Sequence, residues 1–362
     1  MKNSTLDKKC TFFRKELVQW HLKTNNREMP WKGEKDPYRI WLSEIILQQT
    51  RVEQGRAYYE RFLKKFPNIH ILAAASDQAV LKCWEGLGYY TRCRNLIHTA
   101  RFIATERKGV FPDRYEEILQ LKGVGPYTAA AIASFAFHLP HAVVDGNVFR
   151  VLARYHGLNT PIDRPAGKKL FQDLAQRSLD TLRPGLYNQA IMDLGATVCK
   201  PQSPLCGDCP LHKNCSAHRS QTTDQLPVKS PPKAKRKRWF YYLVPVWKGK
   251  MPLRMRSAGD VWEGLWEPPL IESDRPMRFD TFLKQLRKTY GLDVSAKQSA
   301  FERIELQQVL SHQAIQGCFY RIDWNEKVSA FPAYKWMSPS QRESLPYPKL
   351  IQAYWDQLKT RK

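Results

Sequence analysis

The sequence predicts a multidomain chain: an all-α region over 1–219, a basic linker over 220–238 and a smaller α+β domain over 239–362. Three observations carry that prediction. The chain has 362 residues, enough for two domains on a prior of about 150 residues each. From residue 12 to about 219, apolar residues recur at three- and four-residue spacing and no alternating run interrupts them. The composition then changes to Gln221-Thr222-Thr223, Pro227, Pro231-Pro232 and Lys233-Ala234-Lys235-Arg236-Lys237-Arg238, and beyond it the grammar is that of strands.

Within the first region, 38–59, 72–87, 95–107 and 168–182 read as helical. The stretch 38–51 reads as one helix, with Glu44 set among Ile40, Trp41, Leu42, Ile45, Ile46 and Leu47, and with Gln48 and Arg51 on its stripe. A hairpin of two short helices is expected over about 113–137. Ile118, Leu119 and Leu121 follow Pro112-Asp113, the turn is Gly123-Val124-Gly125, and Pro126 takes the first position of the second helix. Glycine amides there can approach a phosphate closely, at the positive end of that helix. For the glycines alone, a packed connection between helices is the alternative. After the linker, 240–247, 300–310 and 318–324 read as strands, and 279–290 and 349–359 as helices.

Charge narrows the partner. Lys and Arg number 58 against 34 Asp and Glu, a formal charge of +24. That imbalance asks for a polyanion, and nucleic acid is the first choice. No basic amphipathic anchor is evident and no apolar run approaches the ~18 residues of a spanning helix, so no membrane is expected. The polar start Met1-Lys2-Asn3-Ser4-Thr5 carries no secretory signal, which points to a cytoplasmic, DNA-associated chain. Its eight cysteines then argue for thiols or metal ligands over disulfides.

Two carboxyls stand out chemically. Glu44, in so apolar a helix, is either a paired structural group or a functional one with a raised pKa. Asp145, before Gly146-Asn147-Val148, is a natural helix N-cap, and the helix dipole favours its anion. One setting favours the acid and the other the anion, the division that splitting a glycosidic bond needs. Cys199, Cys206, Cys209 and Cys215 form a C-x6-C-x2-C-x5-C run. Only one short Cys-x2-Cys arm is present, so four thiolate corners of a 4Fe–4S cluster suit it better than zinc, which stays the alternative.

Together, the glycine hairpin, Val144-Asp145-Gly146-Asn147 and the cysteine run resemble the helix-hairpin-helix DNA glycosylases with an iron–sulfur loop. Trp41-Leu42-Ser43-Glu44-Ile45-Ile46-Leu47-Gln48-Gln49-Thr50, Gly86-Leu87-Gly88-Tyr89-Tyr90 and Gly123-Val124-Gly125-Pro126-Tyr127-Thr128 resemble, within them, the adenine glycosylases acting opposite guanine or 8-oxoguanine. The likeness runs from about residue 12 to 215 and resumes more loosely after the linker.

The resemblance implies roles. Glu44 would protonate adenine at N7, and Asp145 would stabilise the oxocarbenium or trap it covalently. Tyr127 and Asn147 would hold that carboxylate and the attacking water. Arg27, Met29 and Trp31 would line the adenine pocket. Gln49 and Thr50 would meet the DNA, Gln49, Leu87 and Tyr89 would fill or prop the gap left in the duplex, and Gly123 and Gly125 would approach its backbone. The four cysteines of 199–215 would hold a 4Fe–4S cluster. The endonuclease III type carries a lysine nucleophile where this chain has Tyr127, so a monofunctional glycosylase is implied.

The region from 239 resembles the Nudix-related domain of the same glycosylases. Its helix offers Lys284, Gln285, Lys288 and Thr289 in place of magnesium-binding glutamates, so no magnesium hydrolysis is expected. Leu310, Ser311 and His312 match the loop that reads the damaged guanine, with leucine where many relatives have phenylalanine. The implied partner is double-stranded DNA with an A:8-oxoguanine or A:G mispair, bound by a monomer. The rivals are an endonuclease III-like pyrimidine glycosylase-lyase and a redox-sensing iron–sulfur DNA-binding protein.

Overall fold

The computed structural model describes residues 3–231, 234–294, 301–325 and 330–360. Lys233 of the basic run, Ala300 of an expected strand and the first two residues of the N-terminus lie outside them. The chain forms two compact units, 1–74 with 95–231, and 75–94 with 232–362.

The helices of the chain's first part are α1 (Asn3–Lys23), α2 (Pro37–Leu47), α3 (Val52–Lys65), α4 (Ile69–Ala74), α5 (Asp77–Trp84), α6 (Tyr90–Glu106), α7 (Tyr115–Leu119), α8 (Pro126–Ala136), α9 (Gly146–His156), α10 (Pro165–Ser178), α11 (Pro184–Thr197) and α12 (Ser216–Arg219). All but α5 and the start of α6 belong to the first unit. Its core joins Phe13 and Leu17 of α1 to Val148, Leu152 and Tyr155 of α9, and to Tyr187, Ile191 and Leu194 of α11. Phe13 meets Tyr155 edge-on at 4.9 Å between ring centres. Each such buried side chain contributes about 1.5–3 kcal/mol of transfer free energy.

The hairpin over 113–137 forms as α7 and α8. Gly123 needs to be glycine there. Its φ is +82°, and a Cβ would lie 2.6 Å from the Cβ of Asn95. Gly125 caps α8, and a Cβ on it would meet open space. The helix expected over 38–51 ends early, at Leu47. The run Gln48-Gln49-Thr50-Arg51 brings no apolar residue to carry it on, and Gln49 turns the chain with φ +55°. Arg51 thereby becomes the exposed N-cap of α3 instead of the last residue on the Glu44 stripe.

The second unit carries β1 (Arg236–Val246), β2 (Met251–Met255), β3 (Trp266–Glu267), β4 (Leu270–Ser273), α13 (Phe279–Tyr290), β5 (Glu302–Val309), β6 (Gln313–Asp323), β7 (Lys335–Met337), α14 (Pro339–Glu343) and α15 (Lys349–Thr360). One sheet runs β4-β1-β6-β5 and a smaller one β3-β2-β7. β1 and β6 pair in parallel, with Tyr241 opposite Cys318 and Tyr242 opposite Phe319, and a parallel pair is normally covered on both faces. Tyr241, Cys318 and Tyr320 pack with Phe282 and Leu286 of α13. On alternate positions Phe319 stacks on Tyr242 at 4.7 Å and on Tyr354 of α15 at 4.3 Å.

The compact units group the chain differently from 1–219, 220–238 and 239–362, for visible reasons. Lys82 Nζ donates to the Leu345 carbonyl (3.0 Å), the Tyr347 amide to Glu85 (2.9 Å) and the Tyr90 hydroxyl to the Tyr347 carbonyl (3.1 Å), which groups 75–94 with the segment between α14 and α15. The first half of the expected linker is packed chain. Leu226 is buried, the Ile162 amide donates to the Val228 carbonyl (3.1 Å), and the Ser230 amide donates to Asp163 (3.0 Å). Among the described residues no helix is long and apolar enough to cross a membrane.

Candidate active site

Helix α2 is set up by Asp36, whose carboxylate accepts from the Tyr38 amide (2.9 Å), with Pro37 at its first position. Tyr38 and the whole run Ile40–Ile46 are buried, so Glu44 lies in a stretch of the helix that is enclosed on all sides. Its carboxyl, 7 % exposed, opens onto a cavity of about 420 Å³. Small-molecule pockets commonly measure about 300–1,000 Å³.

Burial pushes the Glu44 pKa up to about 7, and the nearby Asp145 adds to the rise. The Tyr127 hydroxyl, at the first turn of α8, pulls it back down by hydrogen bonding. That hydroxyl also faces the Met192 sulfur at 3.5 Å. Asp145 caps α9, accepting from the Val148 amide at 2.8 Å and from Asn147 Nδ2 at 2.9 Å. Burial raises its pKa too, so the expectation that its setting simply favours the anion is corrected. What separates the two carboxyls is the opposition to that rise. Glu44 has one hydroxyl, whereas Asp145 has the Val148 amide, the Asn147 side chain and backbone, and the Arg150 charge. Asn147 holds the Asp145 carboxylate, and the Tyr127 hydroxyl acts on the Glu44 carboxyl by lowering its pKa.

The cavity brings Glu44, Tyr127, Asp145 and Asn147 together with Arg27, Met29, Trp31 and Thr50. Trp31 is braced edge-on by Tyr59 at 5.4 Å. Gln49, Gly123 and Gly125 belong to the same unit but lie outside this lining. Leu87 and Tyr89 are in the second unit. Leu87 is buried, while Tyr89 is 44 % exposed at φ +48° with the Arg92 guanidinium 5.5 Å from its ring centre. Leu310, Ser311 and His312 form the turn between β5 and β6, closed by the Leu310 amide on the Gln313 carbonyl (2.8 Å). Ser311 and His312 are exposed, and the Ser311 hydroxyl lies 3.1 Å from His312 Nδ1.

Sequence reasoning missed one side of the cavity: His21, Lys32, Gln189 and Met192 line it. Behind them is Asp193, fully buried and bonded to Arg27, Asn25 and Gln189. The signal was available. Asp193 stands between Met192 and Leu194 on α11, as out of place among apolar neighbours as Glu44 on α2.

Cys199, Cys206, Cys209 and Cys215 line a second cavity, with Arg154, His212 and His218 beside them. Among the described residues no three His, Cys, Asp or Glu side chains converge as a single metal ion would require. Helix α9 holds the loop of the four cysteines. Arg150 donates to the Cys199 carbonyl (2.7 Å), and Arg154 donates to the carbonyls of Lys200 (2.6 Å), Pro201 (2.9 Å) and Leu226 (3.1 Å). The helix that Asp145 caps therefore also anchors the cysteine loop.

Comparison with known proteins gives the family. The family model of the HhH-GPD superfamily base excision DNA repair protein matches residues 42–177, and that of the NUDIX domain matches 241–357. Over 261 residues the chain is 36 % identical to the adenine DNA glycosylase of Buchnera aphidicola from Baizongia pistaciae, covering 70 % of this chain and 72 % of that one. The chain belongs to the adenine DNA glycosylases.

It is thus a DNA N-glycosylase of base-excision repair, and DNA is its partner. The human adenine DNA glycosylase is 41 % identical over 225 residues, 60 % of this chain and 41 % of the human one. Among solved structures, a thermostable thymine-DNA glycosylase superposes with TM-score 0.55 at 29 % identity, covering 59 % of this chain and 98 % of its own. A non-covalent endonuclease III–DNA complex gives TM-score 0.50 at 19 % identity over 59 % of this chain and 97 % of its own, a likeness of fold. The helical part of this glycosylase thus has the endonuclease III-like fold, and its strands form a Nudix-like domain.

Proposed function

We propose that this glycosylase hydrolyses adenine from mispairs with 8-oxoguanine or guanine, as a monomer and without a lyase step. The observation that carries the reading is the pairing in one cavity of Glu44, its pKa pushed up to about 7, with Asp145, held by the Val148 amide and the Asn147 side chain. Glu44 is protonated below about pH 7 and can give its proton to N7 of a flipped adenine. The Asp145 carboxylate then faces the sugar as positive charge develops on it, and Asn147 fixes its orientation.

Tyr127 stands in the cavity where a Schiff-base mechanism would call for an amine. The two lysines that do line it are engaged. Lys32 Nζ donates to the Arg27 carbonyl (2.8 Å) and Lys35 Nζ to the Phe135 carbonyl (3.4 Å). Cys199, Cys206, Cys209 and Cys215 would hold a 4Fe–4S cluster, whose chemistry here is to cross-link the loop that carries Lys200 and Lys213. The anaerobically purified protein is expected to contain about four irons per chain, and stoichiometric zinc with negligible iron refutes that assignment.

The test is a gel assay on duplexes carrying adenine opposite 8-oxoguanine or guanine, with and without alkali. Strand breakage only after alkali, faster opposite 8-oxoguanine, supports the reading. Breakage without alkali together with borohydride trapping overturns the monofunctional assignment and points to Lys32 or Lys35.

A further inference from the structure

The loop that carries Tyr89 is bent against the preference of an ordinary chain. Gly86, Gly88 and Tyr89 have φ of +88°, +78° and +48°, left-handed backbone in which only the glycines are at ease. Such backbone persists where its surroundings hold it. The Trp84 indole donates to the Gly88 carbonyl (2.9 Å), and the Tyr90 hydroxyl accepts from the Gly86 amide (3.4 Å). The same hydroxyl donates to the Tyr347 carbonyl (3.1 Å), and Glu85, just past α5, accepts from the Tyr347 amide (2.9 Å). The two residues that flank the loop therefore grip Tyr347 by both of its backbone polar groups.

Tyr347 is fixed in turn to the connection at 310–312. It lies in the buried run 345–348 that leads into α15. At the first turn of α15 the Leu350 amide donates to Gln308 Oε1 (2.9 Å), on β5 two residues before Leu310. Leu350 also lies over Gly317 of β6, where a Cβ would come within 2.7 Å of its Cδ2, and Tyr354 of α15 stacks on Phe319 of β6. The turn at 310–312, α15, Tyr347 and the Tyr89 loop are thus joined by successive contacts inside one compact unit.

We propose that Glu85 and Tyr90 are positioning residues that lock the Tyr89 loop to the 310–312 turn, so that 8-oxoguanine held at the turn places Tyr89 and speeds the release of adenine. The inference rests on the preference for 8-oxoguanine proposed above. The Tyr89 ring is 44 % exposed, and an exposed ring suits the space that a flipped base leaves. Binding energy gained away from the reacting bond raises the rate only when it is spent on position, and that requires a rigid link. With the link cut, the turn still binds the lesion, but the binding no longer reaches the bond that breaks.

The experiment compares 8-oxoguanine with guanine opposite adenine, in the full chain, by single-turnover release and by binding. Binding is measured on duplexes whose adenosine carries a 2′-fluorine, which blocks release by destabilising the positively charged sugar. Tyr90→Phe keeps the ring and loses both hydroxyl bonds, and Glu85→Ala loses the grip on the Tyr347 amide. In both variants the preference in release is expected to fall about fivefold, while the preference in binding stays within about twofold of wild type. His312→Ala is expected to lower both preferences. Combined with Tyr90→Phe, it should take the release preference less than about twofold below His312→Ala alone, because the two act along one link. Thermal melts report whether each variant is folded, and if Glu85→Ala is not, Tyr90→Phe decides. A release preference within about twofold of wild type in a folded variant overturns the proposal, even if both rates drop, since equal loss is what a merely structural role gives. Loss of the binding preference in step with the release preference overturns it too, because the turn itself is then damaged. Wild type without a preference for 8-oxoguanine sinks the earlier reading instead, and that outcome is visible before any variant is made.

Discussion

The cavity around Glu44 and the turn at 310–312 do opposite things with their polar groups. Glu44 is withdrawn from water, and burial, helped by Asp145 and opposed by Tyr127, moves its pKa up to about 7. Its neighbours are tied to one another through Asn147, Arg150 and Asp193. Ser311 and His312 stand exposed between two strands, 3.1 Å from each other at Oγ and Nδ1. The difference teaches what each job demands. Giving a proton at neutral pH needs an acid whose environment is fixed before substrate arrives. Reading a partner's edge needs donors and acceptors free to exchange water for that edge. Damage to the first region should cost rate by orders of magnitude, and damage to the second should cost discrimination by small factors.

Glu44→Gln is the hardest blow to that contrast. It keeps size and hydrogen bonding but cannot release a proton, so adenine release should fall by roughly 100- to 10,000-fold with mispair binding largely kept. Single-turnover rates and a binding titration check this. Excision within a few-fold of wild type would place the acid elsewhere.

Asp145→Asn comes next. The anion facing the developing positive charge is removed, while Asn147 and the Val148 amide keep partners of similar shape. Losing one preorganised electrostatic group typically costs about 100- to 1,000-fold. A loss below tenfold in a folded protein would demote Asp145 to a helix cap.

Tyr127→Phe sharpens the comparison through pH. Glu44 works protonated, so the rate should fall as pH rises through about 7. The Tyr127 hydroxyl lowers the Glu44 pKa, and its removal must raise it. The alkaline limb of the rate profile should therefore move to higher pH in the variant. A limb that stays put or moves down would show that Tyr127 does not touch the acid.

Much of this division could be read beforehand, because it is written in local contrast. Glu44 announces itself among isoleucines and leucines, and Gly123 announces a turn that no side chain fits. The strand pair around 310–312 follows from alternation that the structure extends to Glu302–Val309 and Gln313–Asp323. What escaped is set by distant partners. That α2 stops at Leu47 depends on a left-handed Gln49, which helical spacing overlooks. That 75–94 goes with the second unit depends on bonds to 345 and 347, more than 250 positions away. The β2, β3 and β7 strands are five residues or fewer, too short to show a period of two. Asp193 was missed although its setting repeats that of Glu44, because one carboxylate on an apolar helix has many uses and only Arg27, Asn25 and Gln189 reveal this one.

The smallest expected effect tests the exposed side of the contrast. Guanine offers an acceptor at N7, where 8-oxoguanine offers a donor, with an added oxygen at C8. If the Ser311 hydroxyl donates to His312 Nδ1, the imidazole is left with a donor at Nε2 on an exposed turn. A donor there suits the C8 oxygen, which guanine lacks. Losing one such bond costs about 1–3 kcal/mol of discrimination, and the exposed setting puts the expectation at the lower end. His312→Ala should therefore lower the preference for 8-oxoguanine over guanine by about fivefold to tenfold. Release of adenine opposite guanine should stay within a few-fold of wild type, as should iron content. Ser311→Ala, which only frees the Nδ1 side, should shift the preference less. If His312→Ala discriminates as well as wild type, the damaged guanine is read elsewhere, and the turn is a capped connection between β5 and β6.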